Sequence, residues 1–137
     1  MMVGFEPYSH AIAALALWGL VMIALSMAST AGRTAEHRCD CGKPKRDYSD
    51  PVYRRERAFA NAVETSPAFI ATTLAAMLAG ASPLMVNIFA SVFLLSRIAM
   101  AVVHIRTENQ AMRSAMFGIG WLMIILTGLT ALFAVFF

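Results

Sequence analysis

Two long runs without an acidic or basic ion, Pro7 to Thr30 and Ala115 to Phe137, decide most of what this chain can become. Each supplies roughly 23 residues, enough for a helix to cross about 30 Å of hydrocarbon. Inside hydrocarbon a backbone must satisfy its own polar groups, which leaves a helix or a closed barrel. No segment alternates apolar and polar residues as barrel strands do, so the expected class is all-α. At 59% hydrophobic and 14% charged, with mean hydropathy +0.66, the chain is also too apolar for an ordinary soluble domain of 137 residues.

Between those runs, proline, glycine and polar residues divide the chain into one integral membrane four-helix bundle. Helices are expected at about 7–30, 52–79, 83–105 and 108–136, with a polar loop over 31–51. A cleaved leader is the alternative reading of the first run, but no basic segment precedes it and Glu6 has the wrong sign. Tyr8 and His10 near its outer end suit interfacial anchoring. Pro67 lies inside the second helix, where it should free the Val63 carbonyl and bend the backbone. The turn Gly80-Ala81-Ser82-Pro83 carries no charge, and Thr107-Glu108-Asn109-Gln110 reads as a capping box that starts the fourth helix. Gly118, Gly120 and Gly128 beyond it would let another helix approach closely.

Charge gives the orientation. The net charge of +3 conceals an asymmetry, because eight of the eleven Lys and Arg lie between Arg33 and Arg57. A basic loop between two apolar spans is a topological signal and not a nucleic-acid patch, so segment 31–57 is expected to be cytoplasmic with both termini opposite. Cys39 and Cys41 fall in this loop and should be reduced in a normal cytosol. Together with His37 they could bind a soft metal or act as a redox pair, yet one C-x-C lacks the paired spacing of a closed zinc site. The plain alternative is an exposed loop, and no metal site is assigned.

Polar residues then converge at the loop end. Arg57, Asn61 and Glu64 stand at i, i+4 and i+7 on one face of the second helix, and Arg97, Ala101 and His104 form a stripe on the third. Arg113 and Ser114 open the fourth, which starts at the same face. Arginines hold carboxylates bidentately and a carboxylate accepts an ammonium group, so the set resembles a receptor for a small zwitterionic peptide. Intramembrane Arg–Glu pairs that only fix helix register are the structural alternative. Glu64 lies roughly 10 Å beyond Arg57. Arg97 lies as far inward from His104 on an antiparallel helix, so Glu64 and Arg97 are expected to pair.

Arg57-x-x-x-Asn61-x-x-Glu64, followed by Pro67 and Phe69, resembles the second-helix signature of the membrane-associated proteins in eicosanoid and glutathione metabolism. Arg97, His104 and Arg113-Ser114 are similar to that family's third helix and the start of its fourth, so the likeness covers roughly residues 50 to 120. The resemblance implies glutathione as ligand, bound in clefts between subunits of a homotrimer. Arg57, Asn61 and Glu64 would hold the peptide, with Arg97 and His104 supporting it from the third helix. Arg113 would stabilise the thiolate and Ser114 would donate to the sulfur, aided by the positive end of the fourth helix. An apolar electrophile would arrive laterally from the bilayer, along helices one and four. The chain departs from the pattern at His104, where the better-known members often carry tyrosine, at Phe117, where some do, and at Ala60, where several carry arginine.

The function expected is therefore a glutathione-dependent transferase or peroxidase acting on hydrophobic electrophiles. A non-catalytic lipid-binding scaffold of the same fold is the alternative. A small multidrug-type proton exchanger is a third, disfavoured because such proteins place their acid in the first helix and show little charge bias between loops.

Overall fold

A computed structural model describes residues 4–137. A short 3-10 turn, Glu6–Tyr8, leads into α1 (Ser9–Thr30); α2 (Pro51–Leu78), α3 (Pro83–Arg106) and α4 (Gln110–Phe136) follow. The helix limits follow from local chemistry. Asp50 caps α2, its carboxylate accepting from the Val52 amide at 2.8 Å, and Pro51 takes the first helical position. The far end closes as a Schellman motif, with Gly80 at φ +68°, its amide donating to the Met77 carbonyl and that of Ala81 to the Ala76 carbonyl. Pro67 leaves α2 a single continuous helix.

The expected capping box does not form. Asn109 caps α4 by accepting from the Met112 amide at 3.1 Å, while the Thr107 hydroxyl donates back to the Val103 carbonyl and closes α3. An Asn side chain reaches the amide three residues ahead as well as Thr does, so the start of α4 moves from 108 to Gln110.

The central pair is α2 and α3; α1 and α4 flank it, each packed on both. At mid-depth Phe93 stacks on Phe69, with ring centroids 3.8 Å apart, and meets Trp18 edge-on at 5.4 Å. Trp18 Nε1 donates to the Ser66 hydroxyl at 2.8 Å, so the indole proton is not stranded in the core. At the end away from the loop, Asn87 of α3 accepts from the Ala11 amide and donates to the Pro7 carbonyl, capping α1 from a neighbouring helix. Tyr8 is buried there and its hydroxyl donates to the Ala81 carbonyl, so it fastens α1 to the α2–α3 turn and is not an interfacial anchor.

Three helical stretches are long and apolar enough to cross a membrane: Glu6–Thr30, Pro83–Arg106 and Gln110–Phe136. The expected fourth span, α2, is not among them, because its first half carries Arg54, Arg55, Glu56, Arg57, Asn61 and Glu64. It packs as the polar member of an apolar bundle. Leu20, Ile23 and Met27 of α1 and Leu129 and Phe133 of α4 face outward, as suits a lipid environment.

The loop between α1 and α2 is ordered by a tight hairpin. The Cys39 amide donates to the Lys43 carbonyl and the Lys45 amide to the His37 carbonyl around a turn in which Gly42 adopts φ +78°. Cys39 and Cys41 are joined as a disulfide with Cα atoms 5.2 Å apart, where free thiols were expected. The turn brings the two side chains within bonding reach, a constraint that the charge of the loop could not convey.

Candidate functional site

Arg54 organises the loop end of the bundle. From the second turn of α2 it donates to the carbonyls of Tyr48 and Ser49 at 2.7 and 3.0 Å and to the Ile105 carbonyl at 3.2 Å. It also meets Glu108 at 3.5 Å. One guanidinium, with its fixed fork of donors, thus ties the loop and the α3–α4 junction to α2.

This tie sets Tyr48 over a cleft of about 270 Å³ between α2, α3 and α4. Arg113, the fourth residue of α4, lies beneath the Tyr48 ring with its guanidinium carbon 4.3 Å from the centroid. Tyr48 also stacks near-parallel on His104, at 6.3 Å. Asn61 donates its amide hydrogen to His104 Nε2 at 2.8 Å, which leaves the ring proton on Nδ1. That Nδ1 and the Arg113 Nη1 are both buried without a partner. Ser114 is exposed at the mouth, beside Gln110 and Gly118.

Arg97 lies under this layer, only 1% exposed. It donates from Nη2 to the Asn61 carbonyl at 2.7 Å, and its guanidinium carbon lies 5.0 Å from the centroid of the Phe117 ring. Its stem crosses Gly120 so closely that a Cβ there would stand 2.8 Å from Arg97 Cδ. Of the three α4 glycines expected to admit a close neighbour, Gly120 does so most tightly, Gly128 faces Thr72 of α2, where a Cβ would stand 3.4 Å from Cγ2, and Gly118 has nothing within 4 Å. Arg57 is half-buried beside them, and its guanidinium, with those of Arg113 and Arg97, acts electrostatically on His104.

Glu64 departs from expectation. It is exposed on the protomer surface and, although it acts on Arg97 at a distance, forms no ion pair. Three residues along a helix turn it about 60° from Asn61, which carries it off the buried face. Arg97 is held instead by the Asn61 carbonyl, the Met100 sulfur and the Phe117 ring, while its Nε is buried without a partner. The ion pairs among the described residues are Lys43–Glu56 and Arg54–Glu108, so Arg57, Arg97 and Arg113 converge without a carboxylate of their own.

Of the residues expected at the site, Asn61, His104, Arg113 and Ser114 line one cleft, with Arg97 below, Arg57 adjacent and Glu64 outside. Tyr48 and Met100 were missed. Tyr48 left one trace in the sequence, as an aromatic within an otherwise ionic loop; Met100 left none. A second groove, about 620 Å³ and wholly uncharged, runs between α2 and α4, lined by residues such as Ala71, Ala75, Ile125, Leu129 and Leu132. Within the protomer α1 and α4 lie on opposite flanks of the α2–α3 pair, so this groove involves α4 but not α1.

No curated protein and no solved structure matches the chain. The profile of the MAPEG family matches residues 9–133, from the start of α1 nearly to the end of α4 and across the whole arginine-lined cleft, and the chain belongs to that family.

Proposed function

We propose that this protein is a glutathione-dependent membrane transferase or peroxidase whose thiol site is the cleft under Tyr48. One observation supports this above the others: three guanidiniums gather at a polar cleft in an apolar bundle and have no internal counter-ion. Burying such charge is costly, and an anionic ligand offsets the cost. Glutathione brings two carboxylates and, once activated, a thiolate. Arg57 holds carboxylate charge, the buried Arg97 supports it from below, and Asn61 and His104 bond the peptide. Arg113, at the positive start of α4, stabilises the sulfur anion, with Ser114 donating to it. In conjugation the thiol proton passes to solvent, the sulfur forms a bond to the electrophilic carbon, and that carbon's bond to the leaving group breaks.

Glu64 fits this reading in a homotrimer, where its exposed face meets a neighbour and its carboxylate can accept the ligand's ammonium group. The basic loop is cytoplasmic and both termini lie opposite. The apolar groove between α2 and α4 favours a second reading, a non-catalytic lipid-binding scaffold, which predicts lipid binding without thiol consumption.

Purified protein in detergent is tested for glutathione binding by calorimetry and for conjugation of glutathione to an aromatic halide. Arg113→Ala should retain binding and lower turnover by roughly 100-fold, as expected for loss of one anion-stabilising group. Absence of glutathione binding overturns the proposal; binding without turnover leaves the scaffold.

A further inference from the structure

The Cys39–Cys41 disulfide takes no part in the cleft chemistry, and its position is poor for a structural staple. A cross-link stabilises chiefly by closing a loop in the unfolded chain, and the effect shrinks as the loop shortens. Here the bonded residues are two apart, and the same turn is already closed by the bonds from the Gly42 amide to the Cys39 carbonyl and from the Cys39 amide to the Lys43 carbonyl. Both cysteines are exposed. The surroundings are basic on balance: Arg38, Lys43, Lys45 and Arg46 lie within five residues, against the acids Glu36 and Asp40. Lys43 spends part of its charge on Glu56 at 3.5 Å, while Arg38, Lys45 and Arg46 are exposed and without an ion pair.

We infer that this hairpin is a second reactive site, a dithiol–disulfide pair that exchanges with anionic low-molecular-weight thiols and their disulfides. Cations near the sulfurs stabilise the thiolate that leaves when the bond is attacked, and they concentrate a negatively charged partner. The exchange runs in two steps. The thiolate of one small thiol attacks one sulfur of the pair, forming a mixed disulfide and expelling the other cysteine as a thiolate. A second small thiol attacks the mixed disulfide, releasing the oxidised small molecule and the second cysteine. Two small thiols lose one electron each and the pair gains two; the protons they release are taken up by the cysteines. Oxidised anionic thiol drives the reverse. The reduced state expected of a cytosolic loop and the disulfide of the structure are then two states of one site.

The test uses full-length protein in nanodiscs, with acid quenching and a maleimide–polyethylene glycol reagent to count free thiols. Reduction is followed with glutathione or 2-mercaptoethanesulfonate, and with cationic cysteamine, at equal thiolate concentration. The anionic thiols should react faster by on the order of tenfold at low salt, an advantage that salt removes. Lys45→Glu with Arg46→Glu should abolish that preference while leaving the disulfide in place. Arg113→Ala should exchange as the parent protein does, whatever becomes of conjugation, which separates this inference from the function proposed above. A pair that stays oxidised in millimolar thiol, or that reacts equally with both charge types, overturns the inference.

Discussion

Gly120 and Arg97 form a matched pair in which one residue's lack of a side chain accommodates the other's bulk. Gly120→Ala places a carbon 2.8 Å from Arg97 Cδ, and Arg97 is fully enclosed, so the expected cost is about 1–3 kcal/mol. Gly118→Ala meets nothing within 4 Å and should leave stability unchanged or slightly raised. Thermal unfolding of the two variants in detergent, read side by side, checks this. Arg97 itself is a buried cation without a carboxylate, so Arg97→Met should fold as stably as the parent or more so, yet bind glutathione poorly under the proposed function. Glu64→Gln should change protomer stability by no more than about 0.5 kcal/mol, since the carboxylate is exposed and unpaired. A large loss of stability in Glu64→Gln would mean that a second subunit already holds this group.

Two helix ends in this protein, the start of α1 and the end of α3, are completed by residues from other elements, and their loss should act on whole elements. Asn87 supplies an acceptor and a donor to the first turn of α1. Asn87→Leu strands a backbone amide and a carbonyl, at a cost of about 1–3 kcal/mol, and should raise amide exchange at the start of α1 above that elsewhere in the helix. Arg54 does the corresponding work at the loop end, holding the Tyr48, Ser49 and Ile105 carbonyls together. Arg54→Ala should free Tyr48 from Arg113. Limited proteolysis would then cut the 31–50 loop faster, and the Michaelis constant for glutathione should rise more than turnover falls. Equal proteolysis of parent and variant would show that the loop is held by its own hairpin alone.

For the molecule as a whole, the two ends of the bundle differ in kind: apolar turn and α1 start at one, ionic loop and cleft at the other. In intact vesicles, an impermeant maleimide should reach a cysteine placed at Ser82 and reduced Cys41 from opposite sides. The amino-acid sequence alone determined the all-helical class, the helix number and the gathering of Arg57, Asn61, His104, Arg113 and Ser114 at one end. Those features follow from hydropathy, helical period and chain direction, which are local or nearly so. What tertiary structure decided was which charges find partners. Arg97 turned from Glu64 to a carbonyl of α2 and the ring of Phe117, because a rotation of about 60° on one helix moves a side chain from core to surface. The end of the loop was likewise fixed from outside it, by Arg54 of α2, which holds the Tyr48 and Ser49 carbonyls and sets Tyr48 over Arg113. No pattern within the loop records such a contact, since its geometry depends on where two distant helices end.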